Sequence, residues 1–175
     1  MHTPASIKPV GNIFDGRAVD LPESPGVYAF WWMGEKSKLM AANRHIVLKG
    51  PGKRLVNVEY QDWWPPELAY PCLYVGKSTS IKKRFSLHIK RRCLGKLHRV
   101  LADNKKLKPR TTSCQLRYGI EHVFRTDPDP LAFINDSVGF SFTTDFPANA
   151  IAERFYTENR LIGMWRPWFN IDSER

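Results

Sequence analysis

The sequence predicts a single domain, residues 1–175, of α/β fold, in which a small three-stranded sheet is flanked by helices. The 175 residues, 42% of them hydrophobic, are enough to bury one sizeable core. Three short stretches are rich in the β-branched and aromatic residues that strands favour. Between and after them, apolar residues recur with the period of an amphipathic helix.

The first strand is predicted at Gly26–Trp32, which follows Ser24-Pro25 and ends before Gly34. The preceding residues 1–22 contain prolines and have a weak hydrophobic pattern. We expect them to form an N-terminal arm that lies on the domain, and we assign them no function.

Residues 34–70 are predicted to be an insertion that contains a β-hairpin. His45–Leu48 and Leu55–Tyr60 flank the turn signal Gly50-Pro-Gly52. Two interpretations remain open for this insertion: an element that reads a ligand, or a decoration of the fold.

The second strand is predicted at Cys72–Gly76, and a helix follows from about Ile81. Thr79 and Ser80 are the candidates for the N-cap of that helix. We expect its apolar side to be formed by Ile81, Phe85 and Ile89. Arg84 and His88, four residues apart, are expected to stand together at its edge.

A third strand is predicted at Thr112–Ile120, with Val123 and Phe124 continuing it beyond a kink. Residues 126–148 are rich in proline, aspartate and asparagine, and are predicted to be a second insertion. The last helix is expected to start at a cap formed by Asn149 and to end at Arg166-Pro167, because the residue before a proline avoids helical geometry.

A glutamate lies within the apolar stripe of this last helix. At about 100° per residue, five side chains fall within one arc that we expect to face the core. They are Ile151, Phe155, Glu158, Ile162 and Trp165. Because a buried carboxylate without a partner costs several kcal/mol, Glu158 should be held by a cation, an arginine or a metal. The stripe alone leaves a core ion pair and a functional site as alternatives.

The net charge of +10 is concentrated in one segment. Residues 77–110 contain thirteen basic residues against a single acid, Asp103. Such a patch favours nucleic acid or another polyanion as partner, and the alternative is a solvated helical face. The predicted contacts to nucleic acid are Lys82, Lys83, Lys90, Arg91, Arg92 and Lys96.

The sequence gives no indication of a membrane or of secretion, because it has no long apolar run and no signal peptide. We therefore expect a cytoplasmic protein, associated with the nucleoid if the source is bacterial. Cys72, Cys93 and Cys114 are widely spaced and in no C-x-x-C arrangement, so we expect reduced thiols rather than disulfides or a zinc site.

Five short motifs occur in a fixed order along the chain. They are Gly26-Val-Tyr28, Tyr74-Val-Gly-Lys77, Arg84, Glu158-x-x-Leu-Ile162 and Pro167-x-x-Asn170. Together they resemble the GIY-YIG nuclease family, with valine replacing isoleucine in both tripeptides. The resemblance implies an α+β sandwich with a mainly antiparallel sheet. The insertion between the tripeptides, and His88 four residues after the arginine, resemble the restriction endonucleases of that family, and a stand-alone bacterial or phage member is the alternative.

The resemblance also implies a role for each site residue. Glu158 is assigned to the metal, Arg84 to the phosphate, Tyr28, Tyr74 and Lys77 to activation of water, and Asn170 to support of the site. His88 shares in proton transfer or binds phosphate. A single carboxylate suits one Mg²⁺ or Mn²⁺ ion that keeps most of its waters, so a one-metal mechanism is expected. Either tyrosine is a candidate for the general base.

The expected function is metal-dependent hydrolysis of phosphodiester bonds in DNA, of the restriction or defence type. The alternatives are a structure-specific repair or recombination nuclease and a non-catalytic nucleic-acid-binding module, and RNA stays open as a substrate. Cutting both strands of a palindrome would imply a homodimer or two sequential nicks.

Overall fold

The computed structural model describes residues 4, 6–13, 20–49, 54–89 and 114–171. Its main sheet has four antiparallel strands in the order β1-β6-β2-β5, and two further strands form a separate hairpin. The strands are β1 (Lys8–Pro9), β2 (Gly26–Trp32), β3 (His45–Lys49), β4 (Leu55–Glu59), β5 (Cys72–Ser78) and β6 (Val138–Thr143).

Helices cover this sheet and its ends. They are α1 (Val10–Ile13), α2 (Lys36–Ala41), α3 (Ile81–Ile89), α4 (Gln115–Val123), α5 (Ala132–Ser137) and α6 (Ile151–Trp165), followed by a 3-10 helix at Trp168–Asn170. The chain is thus a mixed α/β protein. No helix among the described residues is both long enough and apolar enough to cross a membrane.

Strand β2 is the centre of the fold. It lies between β5 and β6, and all seven of its residues are buried. Successive side chains point to opposite faces of the sheet, so β2 contributes side chains to an apolar layer on each face. Phe30 stacks on Phe85 of α3 on one face, whereas Trp31 packs edge-on against Trp165 of α6 on the other, with ring centroids 4.7 Å apart. Helices α3 and α6 therefore cover opposite faces.

Several predictions made from the sequence are confirmed. The first strand and the hairpin after it are present, and the second strand runs two residues further than predicted, to Ser78. The Ser80 hydroxyl accepts a hydrogen bond from the backbone N–H of Lys83 at 3.3 Å, so Ser80 caps α3. Helix α6 ends before Pro167, with Arg166 in the left-handed conformation at φ 49°.

The third strand was predicted in the wrong place. Gln115–Val123 is the helix α4, and residues 112–113 lie outside the described residues. Leu116, Ile120 and Val123 are all buried, at spacings of four and three that fit a helix rather than a strand. The sheet instead gains β6, from within the segment rich in proline, aspartate and asparagine, and also the two-residue β1. It therefore has four strands and not three.

The predicted core stripe on α6 is wrong for its first half. Ile151 is 69% exposed and Phe155 is 47% exposed, whereas Trp165 is buried. Arg154 is buried instead, because its guanidinium donates hydrogen bonds to the carbonyls of Pro147 and Ala148 in the loop that leads into the helix.

The predicted cap of α6 is also wrong. The N-cap position is Ala150, and no side chain caps the helix there, so Asn149 does not have that role. Arg154 reaches back to the loop carbonyls from inside the helix, which fixes the entry of the chain without a capping side chain. The thiols of Cys72 and Cys114 are free, as predicted, and both are buried, whereas Cys93 lies outside the described residues.

Candidate active site

The pairing of β2 with β5 brings two tyrosines together on one face of the sheet. Tyr28 is opposite Gly76, and Phe30 is opposite Tyr74. The rings of Tyr28 and Tyr74 have centroids 6.1 Å apart, and each hydroxyl affects the pKa of the other. Gly76 leaves the room that the Tyr28 ring occupies, which explains glycine at this point of the strand.

His88 joins the tyrosines from α3. Its Nε2 atom lies 2.9 Å from the Tyr28 hydroxyl, and its ring centroid lies 5.5 Å from those of both tyrosines. His88 is only 2% exposed, so the prediction that it stands at the edge of the helix is wrong. It faces inward because it follows Phe85 by three residues and Ile81 by seven, on the buried side of α3.

Burial is the largest cause of the pKa shifts of His88, Tyr28 and Tyr74. It lowers the pKa of His88 to about 3, with the positive charges of Arg84 and Arg117 acting in the same direction. The His88 imidazole is therefore neutral near pH 7. Burial also raises the pKa of the Tyr28 hydroxyl far above its usual range, and raises that of Tyr74.

The two tyrosines differ in ways that matter for proton transfer. Tyr28 is 3% exposed, whereas Tyr74 is half-buried and reaches the surface. The interaction between the two hydroxyls raises the pKa of Tyr28 and lowers that of Tyr74, so it favours Tyr74 as the one that loses its proton. The charge of Arg84 lowers the pKa of both hydroxyls, and that of Glu158 raises both.

Glu158 is held by Lys77, which bears out the expectation that a cation accompanies it. The Lys77 ammonium forms an ion pair with Oε2 of Glu158. The Glu158 side chain is 14% exposed and that of Lys77 is 37% exposed, so the pair borders solvent. The Lys77 ammonium also lies 5.0 Å from the centre of the Phe155 ring, a cation–π contact next to the carboxylate.

Asn170 closes part of the open edge of the sheet. Strand β5 is the last strand in the sheet order, so its outer edge has no neighbouring strand within the described part of the chain. The Asn170 side chain accepts a hydrogen bond from the Val75 N–H at 2.7 Å and donates one to the Val75 carbonyl at 2.8 Å. One amide side chain thus replaces a residue of a neighbouring strand, beside Tyr74 and Gly76.

The seven predicted site residues lie around the β2–β5 pair. Tyr28, Tyr74 and His88 lie on the face that α3 covers, and α3 also carries Arg84. Lys77 follows Gly76 and so belongs to the opposite face, where it pairs with Glu158 of α6, and Asn170 bonds the outer edge of β5. The charge of Glu158 acts on both tyrosine hydroxyls and connects the two groups.

The predicted contacts to nucleic acid are described only in part. Lys83 is exposed on α3, and Lys82 forms an ion pair of 3.5 Å with Glu23. Lys90, Arg91, Arg92 and Lys96 lie outside the described residues.

Two neighbours of the site were not predicted. The Sγ atom of Cys114, just before α4, lies 3.2 Å from Nδ1 of His88, and Phe155 flanks Lys77. No sequence motif marks Cys114, which is 26 residues from His88, and Phe155 had been assigned to the core.

Glu158 is the side chain of this site that could hold a hard cation. Among the described residues, no three His, Cys, Asp or Glu side chains are grouped so as to hold a metal ion. Glu158 offers one carboxylate at the border of solvent, and Mg²⁺ accepts such a site because it keeps several of its waters.

Comparisons of the chain with protein-family models, with curated proteins and with solved structures find no match. We therefore infer the function from the residues of the site alone.

Proposed function

We propose that the protein is a metal-dependent endonuclease that hydrolyses phosphodiester bonds in DNA. One observation supports this above the others: a guanidinium, Arg84, and a carboxylate, Glu158, act from different elements on the same pair of tyrosine hydroxyls. Hydrolysis of a phosphodiester needs a proton acceptor, a cation for the phosphate and an anchor for a metal. These side chains provide the three functions.

Tyr74 is the general base of this proposal. Tyr74 is less buried than Tyr28, and both the neighbouring Tyr28 hydroxyl and the charge of Arg84 favour its anionic form. In its anionic form, which neutralisation of the Glu158 charge by a bound cation would favour, Tyr74 takes a proton from the attacking water and becomes the neutral phenol. The new bond from oxygen to phosphorus forms as the bond from phosphorus to the 3′ oxygen breaks, and solvent protonates that oxygen.

Glu158 is the residue that would hold the metal. Bound there, Mg²⁺ or Mn²⁺ would balance charge on the phosphate and neutralise the carboxylate whose charge raises the pKa of Tyr74. Lys77 pairs with this carboxylate, and a cation bound to Glu158 would release the Lys77 ammonium to bind a phosphate oxygen.

Arg84 is the phosphate-binding residue. It is half-buried on α3, one turn before His88, and its charge acts on both tyrosines. A guanidinium binds two phosphate oxygens through parallel hydrogen bonds, so it can orient the phosphate above Tyr74.

The β3–β4 hairpin favours a double-stranded substrate and hence the restriction or defence type. Ile46 and Leu48 are buried on one face of this two-stranded ribbon, while Val47, Leu55 and Val56 are exposed. A two-stranded ribbon fits the major groove of B-DNA, where base sequence is read. Two copies of the chain, or two sequential nicks, would cut both strands.

The second candidate is a nucleic-acid-binding module without turnover. The ion pair of Lys77 with Glu158 favours it, because this pair satisfies the carboxylate without any metal. In that case the carboxylate serves only the fold, and replacing it affects stability but no reaction.

Two glutamates of α6 provide the test. Supercoiled plasmid and a branched DNA are incubated with Mg²⁺ or Mn²⁺ and with the wild-type protein, Glu158→Gln or Glu153→Gln. Glu153 is exposed on the same helix and serves as the matched control. We expect metal-dependent fragments from the wild type and Glu153→Gln, and none from Glu158→Gln although it still binds DNA. Binding by all three proteins without cleavage would support the non-catalytic module.

A further inference from the structure

A chain of hydrogen-bonding groups runs from the interior of the protein to Tyr74. The Cys114 thiol lies 3.2 Å from Nδ1 of His88, Nε2 of His88 lies 2.9 Å from the Tyr28 hydroxyl, and the Tyr28 ring lies beside that of Tyr74, with centroids 6.1 Å apart. We propose that Cys114 is a positioning residue: its thiol fixes the His88 tautomer that carries the proton on Nε2.

The chemistry of the two atoms in the first contact sets the direction of the chain. An imidazole nitrogen is a good acceptor, whereas thiol sulfur is a weak one, so the favoured arrangement has the S–H donating to Nδ1. The other acceptor near this sulfur is the carbonyl oxygen of His88, at the longer distance of 4.0 Å. With Nδ1 accepting, the ring proton of neutral His88 is on Nε2.

This tautomer determines what Tyr28 can do. The Nε2–H of His88 donates to the Tyr28 oxygen, which leaves the Tyr28 proton free to be donated to Tyr74. The opposite tautomer would place a proton on Nδ1 and make Nε2 an acceptor. Tyr28 would then donate to His88, and its proton would no longer be available to stabilise the anion of Tyr74.

Because the contact is buried, water cannot easily replace the Cys114 thiol as the hydrogen-bond donor to Nδ1 of His88. Cys114 is 5% exposed and His88 is 2% exposed, so water does not readily reach Nδ1. A partner that both reaches Nδ1 and donates to it therefore has to come from a side chain. Cys114 occupies that place because it directly precedes α4, which lies against α3.

The tautomer can be measured without any nuclease activity. Long-range ¹H–¹⁵N spectra of ¹⁵N-histidine-labelled protein distinguish a proton on Nδ1 from one on Nε2. We expect Nε2–H for His88 in the wild type and in Cys114→Ser, whose hydroxyl also donates. In Cys114→Ala we expect a mixture of tautomers or the Nδ1–H form. A wild-type spectrum with Nδ1–H, or an unchanged Nε2–H form in Cys114→Ala, would overturn the proposal.

Cys72→Ala is the matched control, because Cys72 is also a buried free thiol but bonds weakly to the Phe30 carbonyl, at 3.8 Å. It should leave the His88 spectrum unchanged even if it lowers stability. A change there as large as that in Cys114→Ala would mean that any loss of packing shifts the tautomer.

The catalytic consequence rests on the proposed function and is measured separately. In single-turnover cleavage, Cys114→Ala should be slower by about tenfold with unchanged DNA affinity, and Cys114→Ser should restore most of the rate. Equal rates for the three proteins would show that the tautomer does not affect catalysis. If no protein cuts DNA, the proposed function fails, while the spectra still decide the role of Cys114.

Discussion

The hydroxyl of Tyr28 lies 2.5 Å from the position that a Cβ atom on residue 76 would occupy. The glycine of the second tripeptide and the tyrosine of the first are therefore in direct contact across the β2–β5 pair. Two short motifs that are distant in sequence form one packed unit, in which the absence of a side chain at one position permits the ring at the other.

Gly76→Ala should destabilise the protein and displace the Tyr28 ring. A methyl group this close to a buried ring forces the strand or the ring to move, at a cost of about 1–3 kcal/mol. Urea denaturation measures the change. Gly163→Ala is the control: nothing lies within 4 Å of a Cβ added at that position of α6, so it should stabilise the protein by about 0.5–1 kcal/mol. Equal effects at both glycines would contradict the contact.

Asn170→Ala should open the outer edge of β5 at Val75. The two hydrogen bonds to the Val75 backbone are lost, and a loss of about 1–3 kcal/mol follows if water does not replace them. Amide hydrogen exchange should be faster at Val75 than in the wild type. Asn149→Ala serves for comparison, since Asn149 does not cap α6. Unchanged exchange at Val75 would mean that water satisfies this edge equally well.

The same substitution in two helices tests where the core lies. Ile120→Ala removes a fully buried side chain of α4 and should cost about 2–5 kcal/mol. Ile151→Ala alters a residue that is 69% exposed and should change stability by less than about 0.5 kcal/mol. Thermal or urea denaturation compares them. A large loss of stability in Ile151→Ala would instead support the core-facing stripe on α6 that the sequence predicts.

The pKa of His88 predicts how stability depends on pH. Its pKa is about 3 in the folded protein against 6.5 when unperturbed, so between these values only the unfolded chain binds the proton. The contribution of His88 to the free energy of unfolding should therefore be fully present above about pH 6.5. It should fall toward pH 3, with a slope approaching 1.4 kcal/mol per pH unit.

Glu121 opposes this trend over part of the range. Burial raises its pKa to about 7 from 4.5, so its contribution to stability is lost as the pH rises through that interval. The contribution of His88 is therefore the difference between the wild type and His88→Gln, measured by urea denaturation from pH 4 to 7. A difference that does not vary with pH would show that His88 titrates normally in the folded protein.

A strand could be predicted where its composition favours a strand and proline or glycine residues mark its two ends. Gly26–Trp32 is aromatic, lies between Pro25 and Gly34, and forms the central strand. Strand β6 was missed because the prolines and aspartates around it indicate loops, although Val138–Thr143 alternates as a strand does. Its place in the sheet is set by long-range pairing with β2, for which one sequence offers no local signal.

The helix α4 was mistaken for a strand because its short sequence mixes both signals. Tyr118 and Ile120 favour a strand by composition, while Leu116, Ile120 and Val123 have helical spacing. Gly119 is explained only by the tertiary structure: an added Cβ would lie 2.4 Å from the Phe169 ring. Close packing against the 3-10 helix thus explains a glycine that weakens a helix by itself.

The residues of the candidate site were predicted from the order of the motifs. The motifs could not predict which side chains contact one another. The seven residues follow from the order of the tripeptides, Arg84, Glu158 and Asn170 along the chain. That Lys77 pairs with Glu158, and that Cys114 contacts His88, depend on how β5, α6 and α4 pack. Side chains brought together by packing alone leave no pattern in the spacing of residues.

The most direct test of the nuclease assignment is the metal-dependent cleavage rate of plasmid DNA by the wild type and by Glu158→Gln, compared at equal occupancy of the DNA. We expect cleavage that requires Mg²⁺ or Mn²⁺ and that falls by about 10³-fold or more in the variant. Folding should be kept, because a partly exposed ion pair contributes only about 0–1 kcal/mol. Equal rates in the two proteins, or no cleavage by a wild-type protein that binds DNA, would contradict it.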